Sequence, residues 1–169
     1  MLREEARVRR EVTELLQWLA RRIEQRLTLN SLVLFGSYAR GEERPESDLD
    51  ILVISEDFPE RFTKRFDVLR PLFREAKIHP AYRKMRREGF YPQFSPIPYR
   101  PEELRETPPL LLDLVEDAVV IKDDGTFGRK MAELRKRLSE LGAKRVTTKR
   151  GDRYWILKPR VERGEVIEI

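Results

Sequence analysis

The stretch that decides the fold is Leu32-Val33-Leu34-Phe35-Gly36-Ser37-Tyr38-Ala39-Arg40-Gly41, continued five residues later by Ser47-Asp48-Leu49-Asp50-Ile51-Leu52-Val53-Ile54. Its first apolar run is rich in strand formers and ends at Gly36-Ser37, which predicts a strand that leads into a tight turn. A turn of small residues that opens a helix exposes backbone N–H groups, and these can bind phosphate oxygens. The turn is therefore a candidate phosphate site, with the Ser37 hydroxyl as an additional donor.

The second half of the stretch carries two carboxylates. Residues i and i+2 of a strand point to the same face, so an extended 48–54 segment directs Asp48 and Asp50 together. The intervening apolar residues then pack against the opposite face, and two more continue the acidic face into the core; these are Leu49, Ile51 and Val53, and Leu52 and Ile54. The predicted strand begins at a site and ends in the interior.

Two neighbouring carboxylates repel each other and favour a compensating cation. Mg²⁺ fits the pair, because it binds one or two protein carboxylates and completes its octahedron with waters and substrate phosphates. Mn²⁺ is the alternative ion. A triphosphate on the turn would supply the phosphates. The residues thus predict metal ligands at Asp48 and Asp50, and a triphosphate site at Gly36 and Ser37 to which Arg40 adds positive charge.

The pattern Gly36-Ser37-x-Ala39-Arg40-Gly41, with Ser47-Asp48-x-Asp50 placing Asp48 twelve positions after Gly36, resembles the nucleotidyltransferase superfamily of DNA polymerase β. It is most similar to the small stand-alone members called minimal nucleotidyltransferases, over roughly residues 28–100. The resemblance implies transfer of a nucleoside monophosphate from a nucleoside triphosphate (NTP) to an acceptor hydroxyl, with pyrophosphate leaving. It also implies that the Gly-Ser turn holds the β- and γ-phosphates and that Asp48 and Asp50 hold Mg²⁺.

The family usually has a third carboxylate on a later strand, just before a helix start that is matched here by Arg100-Pro101-Glu102-Glu103. Counting back from it places the third position at Ser95, which departs from the family pattern. A general base contributes about 10²–10⁴ in rate, whereas phosphoryl transfer depends mainly on positioning and charge neutralisation. We therefore expect weaker catalysis, unless another carboxylate substitutes; the candidates are Glu75, Glu88, Glu102 and Glu103.

The resemblance implies an α/β (α+β) protein in the polymerase β-like nucleotidyltransferase fold, with a small mixed β-sheet flanked by helices. The residue pattern adds a C-terminal extension made of a helix and a β-hairpin. We predict an N-terminal helix packed on the core (1–27), a nucleotidyltransferase domain (28–122) and a basic extension (123–169).

Apolar residues at helical spacing predict further helices. They cover about 3–27, 108–115 and 127–141, and a fourth helix carries a buried face of Phe62, Phe66, Leu69 and Phe73 with a kink at Pro71.

Strand patterns predict a strand over 118–122, a hairpin over 144–149 and 153–157, and an edge or irregular strand around Ser95. That last strand contains Pro96 and Pro98, which remove ladder donors. Asp123-Asp124-Gly125 is typical of a turn, so we interpret its two carboxylates as structural.

Composition limits the classes that remain. The chain has 169 residues and no cysteine, which excludes disulfides and thiolate metal sites, and the single histidine, His79, is interpreted as structural or surface. Charged residues make up 38%, which is typical of a thermophile. The sequence contains no apparent membrane span, and its charged N-terminus does not resemble a signal peptide, so we expect a cytoplasmic protein.

Positive charge is concentrated near the C-terminus, with twelve Lys or Arg against three acids between Arg129 and Arg160. Basic residues beside Tyr154 and Trp155 could bind a nucleic-acid backbone, and the same pattern describes an ordinary hairpin with packed aromatics. The role of 144–160 stays open at this point.

Three hypotheses remain. The first is a Mg²⁺-dependent nucleotidyltransferase whose acceptor is RNA, a protein or a small molecule. The second is a nucleotide-binding or interaction protein that kept the fold and lost turnover, for example a toxin–antitoxin component, and Ser95 favours it. The third is a nucleic-acid-binding module that uses the basic C-terminal segment. The long N-terminal helix leaves a homodimer open.

Overall fold

The structure is a computed structural model that describes residues 8–149, 153–160 and 167. In chain order the elements are α1 (Arg10–Glu24), β1 (Leu29–Phe35), α2 (Gly36–Arg40), β2 (Leu49–Ser55), α3 (Phe62–Ala76), α4 (Pro80–Arg87), β3 (Phe94–Tyr99), a 3₁₀ helix (Pro101–Glu106), α5 (Leu110–Asp117), β4 (Val119–Asp123), α6 (Thr126–Leu141), β5 (Lys144–Thr147) and β6 (Arg153–Ile156).

Four strands form a mixed sheet in the order β3-β2-β1-β4. β1 is antiparallel to both of its neighbours, and β2 is parallel to β3. β3 lies at an edge of this sheet, where Pro96 and Pro98 interrupt the fewest ladder hydrogen bonds, as the two prolines predicted. The predicted α/β class and mixed sheet flanked by helices are confirmed.

Helices cover both faces of the sheet, because its two central strands alternate apolar residues toward two hydrophobic clusters. Leu49, Ile51 and Val53 of β2 lie in the cluster that includes α1, α3 and α4. Leu52 and Ile54 lie in the second cluster, with α5 and α6. The predicted division of β2 between two faces is confirmed. Asp50 shares strand parity with Leu52, which puts it on the face of α5.

The observed helices differ in extent from the predicted ones. α1 begins at Arg10 rather than near residue 3, and the first seven residues of the chain lie outside the described ones. The predicted helix at 108–115 is α5, which begins and ends two residues later. α6 matches its prediction and ends at Gly142, whose φ of 67° provides the left-handed cap.

The predicted buried face of α3 is partly wrong. Phe62 is 43% exposed, whereas Arg65, a charged residue, is buried together with Leu69 and Leu72. Arg65 can be buried because its guanidinium donates to three backbone carbonyls and pairs with a carboxylate, as described below. α3 continues through Pro71 as one helix.

Several smaller predictions are confirmed. Asp123 accepts hydrogen bonds from the N–H groups of Phe127 and Gly128 at 3.0 Å each, so it serves the turn into α6. His79 caps α4, because its Nδ1 accepts from the N–H of Ala81. β5 and β6 pair antiparallel as the predicted hairpin, whose connection at 150–152 lies outside the described residues.

None of the helices in the described part of the chain has the length and apolar character that crossing a membrane requires.

The predicted boundaries after residues 27 and 122, which separate the N-terminal helix, the nucleotidyltransferase domain and the basic extension, stay predictions.

Candidate active site

The Gly36 turn is in direct contact with Asp50. β1 ends at Phe35, and Gly36 follows with a φ of 73°, a conformation that glycine adopts without strain. A Cβ atom at Gly36 would overlap Oδ2 of Asp50 and lie 3.1 Å from its Cγ. The sequence separates the turn from the carboxylate by fourteen positions, and the antiparallel pairing of Phe35 with Asp50 brings them together. The predicted phosphate turn and carboxylate therefore share one site.

The loop between α2 and β2 fixes the other carboxylate. The hydroxyl of Ser47 accepts a hydrogen bond from the N–H of Arg44 at 2.8 Å, and the N–H of Ser47 donates to the carbonyl of Arg44 at 2.9 Å. Leu49 then enters the sheet by donating to the carbonyl of Gln93 at 2.8 Å. Asp48, which lies between these two anchors, is exposed, whereas Asp50 is half-buried.

Electrostatics favour a cation beside Asp50. Burial raises the pKa of Asp50, and the negative charge of Asp48 raises it further; a hydrogen bond from Ser95 and the charge of Arg40 act in the opposite direction. The net rise shows that Ser95 and Arg40 do not fully compensate the buried negative charge. Hard carboxylate oxygens are the donors that Mg²⁺ prefers, so this pair of residues fits a divalent ion.

Ser95 occupies the position that the register predicted. It is paired with Asp50 across β2 and β3, and its hydroxyl lowers the pKa of that carboxylate, against the effect of burial. A hydroxyl thus stands where the family pattern places a third carboxylate. In the part of the chain that the structure describes, no group of three His, Cys, Asp or Glu side chains could hold a metal ion.

The four glutamates considered as substitutes are engaged elsewhere. Each of them forms an ion pair with an arginine: Glu75 with Arg22 and Arg26, Glu88 with Arg9, Glu102 with Arg100, and Glu103 with Arg65. None belongs to a metal-binding group with Asp48 and Asp50 among the described residues. The third carboxylate is not replaced by these side chains.

Arg40 extends from α2 toward acidic residues of other elements. Its Nε lies 2.7 Å from Glu42, and its Nη1 lies 3.8 Å from Asp117 at the end of α5. Arg40 also lines a cavity that reaches Gly36. The structure therefore brings Arg40 to the same site as the turn, together with two carboxylates that sequence reasoning missed.

A buried tyrosine supports the turn from below. Tyr38 is fully buried, and its hydroxyl has no hydrogen-bond partner among the described residues. Burial, followed by the nearby charge of Glu43, raises the pKa of Tyr38 to about 12. The neutral ring therefore serves as core packing under α2.

The basic hairpin turns two of its arginines inward. Arg145 binds Asp117 at 2.6 Å and Glu116 at 2.8 Å, and Arg153 binds Glu42 at 2.7 Å. Their charges are thus balanced by carboxylates outside the hairpin, whereas Tyr154 is 49% exposed. Contact with nucleic acid through 144–160 stays a prediction.

Comparisons with known proteins show the family to which this chain is similar. A family model described as a nucleotidyltransferase domain matches residues 16–148. A Methanocaldococcus jannaschii protein whose name proposes a protein adenylyltransferase is 34% identical over 107 residues, which are 62% of this chain and 66% of that protein. A second protein of the same archaeon, named in the same way, is 44% identical over 43 residues, which are 25% of this chain and 43% of that protein. The matches span two thirds or less of these curated relatives.

Among solved structures, a chain from a crystal structure of a toxin–antitoxin with AMP-PNP is 16% identical, with a TM-score of 0.43. The match covers 79% of this chain and 94% of that chain. Similarity at this level carries no information on function.

Proposed function

Because the chain belongs to the nucleotidyltransferase domain family, we propose that it transfers a nucleoside monophosphate from an NTP to an acceptor hydroxyl. Asp48 and Asp50 hold Mg²⁺, or Mn²⁺ in its place. The Gly36-Ser37 turn and Arg40 bind the triphosphate. The observation that supports the proposal is the contact between Gly36 and Asp50, since it brings the glycine turn against a carboxylate whose pKa Asp48 helps to raise.

The chemistry needs an oxygen nucleophile and a neutralised leaving group. The acceptor hydroxyl loses its proton to water as its oxygen forms a bond to the α-phosphorus, the bond between that phosphorus and the bridging oxygen breaks, and pyrophosphate leaves with the negative charge. A divalent ion, when bound, neutralises charge on the phosphates. The turn orients the triphosphate through its N–H groups, and Arg40 offsets charge on the leaving group. Positioning and charge account for most of the catalysis in this scheme.

The relatives' names support a more specific acceptor and donor. Two of them are named as proposed protein adenylyltransferases, so the favoured donor is ATP and the favoured acceptor is a hydroxyl side chain of a protein. RNA ends and small molecules are the alternatives that the acceptor test must include.

Label transfer tests the proposal. The protein is incubated with each α-labelled NTP and Mg²⁺, with and without cell extract, and compared with Asp48→Asn and Asp50→Asn. We expect label on a protein with the wild type and loss of that label in both variants. Asp67→Asn is the matched control, because Asp67 is an exposed residue of α3 whose ion pairs among the described residues are with Lys64 and Arg70. Transfer that survives both active-site substitutions contradicts the assignment.

A second candidate function is nucleotide binding without turnover. Ser95 favours it, because the residue paired with Asp50 is a hydroxyl in place of a third carboxylate. In that case the wild type binds NTP in the presence of Mg²⁺, and no acceptor in the extract receives label. Binding measured on the same preparation separates this candidate from a protein that does not bind nucleotide at all.

A further inference from the structure

A cavity of about 390 Å³ continues the candidate active site toward the C-terminal hairpin. It is bounded by the Gly36 turn, by α5 and by the two strands of the hairpin. Three arginines and three carboxylates from distant parts of the sequence line the cavity: Arg40, Arg145, Arg153, Glu42, Asp113 and Asp117. The cavity lies on the face of the sheet that carries Asp50.

Two of the arginines converge on one exposed carboxylate. The Nε of Arg40 and the Nη2 of Arg153 each lie 2.7 Å from the Glu42 carboxylate, one on each oxygen. The side chain of Glu42 is 50% exposed, so it can rotate into solvent at little cost. Two guanidiniums that bind one anion can bind another anion in its place.

The third arginine anchors the hairpin. Arg145 and Asp117 pair at 2.6 Å, and both side chains are largely buried, with exposures of 12% and 15%. The Nε of Arg145 is buried with no hydrogen-bond partner among the described residues. This pair keeps β5 and β6 beside the cavity, so Arg153 stays in place when Glu42 moves away.

We propose that the C-terminal hairpin is part of the nucleotide site, and that Arg153, together with Arg40, binds the terminal phosphate of the NTP in place of Glu42. The inference rests on the proposed function, because the triphosphate must first lie on the Gly36 turn. A terminal phosphate carries more charge and more acceptor oxygens than a carboxylate, so it competes well for paired guanidiniums. Glu42 holds the two arginines in position until the nucleotide binds.

The proposal assigns a specificity to Arg153. A diphosphate on the same turn lacks the group that Arg153 binds, so the hairpin favours a triphosphate over a diphosphate. The cavity also has an apolar wall of Phe35, Leu110 and Leu114, which could receive a nucleobase. The following experiment distinguishes the two occupants.

Isothermal titration with ATP, ADP and AMP in Mg²⁺ measures the specificity. For Arg153→Ala we expect a loss of about tenfold or more in ATP affinity, the size of a charge-assisted hydrogen bond, with ADP affinity within about twofold of wild type. Retained ADP binding shows that the variant is folded. Lys144→Ala is the matched control, because Lys144 is an exposed hairpin residue that does not line the cavity. It should leave all three affinities unchanged.

Glu42→Gln gives the opposite sign. It removes the competing charge without removing an arginine, so we expect ATP to bind more tightly than to wild type. Equal losses for ATP, ADP and AMP in Arg153→Ala would overturn the proposal, since they mean that Arg153 only positions the hairpin. The proposal would also be overturned if the loss of affinity in Arg153→Ala differed among ATP, GTP and CTP. Such a dependence on the nucleobase would place the nucleoside in the cavity.

The outcomes also separate the two proposals. A wild type that binds ATP while Arg153→Ala is unaffected contradicts only the role of the hairpin. A wild type that binds no nucleotide contradicts the proposed function itself, and the role of the hairpin with it.

Discussion

Gly36 is the residue on which the candidate site depends most. Its positive φ and its contact with Asp50 are two separate requirements, and only glycine meets both. The Gly-Ser pair in the sequence predicted a turn, and the turn is where the pattern placed it. The contact with Asp50 was not evident from spacing alone, because it depends on the pairing of β1 with β2.

Gly36→Ala is predicted to lose activity beyond what its backbone strain explains. A left-handed non-glycine residue costs roughly 1–2 kcal/mol, and the added methyl group also displaces the carboxylate of Asp50. Gly89→Ala is the matched control, since Gly89 has a φ of 88° and nothing within 4 Å of an added Cβ. Thermal unfolding should show both variants destabilised, whereas kcat/KM should fall at least tenfold more for Gly36→Ala. Equal activity in the two variants would contradict the role of this contact.

Asp50 is predicted to lower stability at neutral pH when no metal is present. Burial and the charge of Asp48 raise its pKa in the folded state, so folding becomes less favourable as the pH rises through that pKa, and above it the ionised carboxylate destabilises the fold. In EDTA, Asp50→Asn should therefore melt above wild type, by about 2–4 °C for each kcal/mol.

Thermal unfolding at several pH values checks the sign. The difference between Asp50→Asn and wild type should shrink as the pH falls through the raised pKa of Asp50, because the carboxyl group of the wild type then becomes protonated. Added Mg²⁺ should stabilise wild type more than the variant. A variant that melts below wild type at neutral pH in EDTA would contradict the assigned electrostatics.

At the scale of elements, β3 is held at the sheet edge by a buried arginine of α3. Arg65 donates to the carbonyls of Pro59, Glu60 and Pro98 at 2.8 to 3.0 Å and pairs with Glu103 at 2.5 Å. Burial tends to raise the pKa of Glu103, but hydrogen bonds from Arg65 and from the N–H of Arg100 outweigh it and the net pKa is lowered. This anchor fixes the strand that carries Ser95.

Arg65→Ala is predicted to destabilise the fold by about 3–5 kcal/mol, because it removes the ion pair of the partly buried Glu103 carboxylate and leaves three carbonyls without their donor. Lys64→Ala is its matched control. Lys64 is the neighbouring residue and is 60% exposed, and its ion pair among the described residues is with Asp67, so its removal should cost less than about 1 kcal/mol. Urea unfolding measures both, and similar midpoints for the two variants would contradict the anchoring role of Arg65.

Local sequence patterns predicted most of the helices and strands. They failed where contacts with residues distant in the sequence determine which side chain is buried. The alternation of β2, the cap of α6 at Gly142 and the edge position of β3 follow from residues within each segment. The burial of Arg65 and the exposure of Phe62 do not, because the partners of Arg65 include Pro98 and Glu103, more than thirty positions away. Helical spacing alone favoured the phenylalanine.

At the scale of the whole molecule, the C-terminal hairpin is a separate two-stranded sheet that depends on the rest of the protein. An isolated hairpin is marginal in water. Trp155 packs against the cluster of α5 and α6, and its indole N–H donates to the carbonyl of Leu112 at 3.1 Å. Arg145 and Arg153 add the ion pairs to Asp117 and Glu42. These contacts bring a segment near the C-terminus to the Gly36 turn.

Trp155→Ala is predicted to loosen the hairpin while the main sheet stays folded. Hydrogen exchange should become faster at the amides of β5 and β6 and remain slow in β1 and β2. Tyr154→Ala is the control, because the side chain of Tyr154 is 49% exposed. Unchanged exchange in Trp155→Ala, or equal effects of the two variants, would show that the tryptophan does not hold the hairpin.

The arginine cavity could not be predicted from the sequence. The excess of positive charge near the C-terminus was visible, but its partners were not: Glu42 and Arg153 are 111 positions apart. Basic residues beside aromatic ones are equally typical of an exposed nucleic-acid-binding surface and of an ordinary hairpin with packed aromatics. Only the packing of α5 and the hairpin against the turn shows that Arg145 and Arg153 face carboxylates outside the hairpin.

In the proposed reaction, the bond that breaks lies between the α- and β-phosphates of the NTP. Parallel incubations with α-labelled and γ-labelled ATP, Mg²⁺ and cell extract test it most directly, with Asp50→Asn as the blank. We expect the α-label to become attached to an acceptor and the γ-label to be released as pyrophosphate, with both events dependent on Asp50. Attachment of the γ-label to the acceptor would mean transfer of the terminal phosphate and would contradict the proposed nucleotidyl transfer.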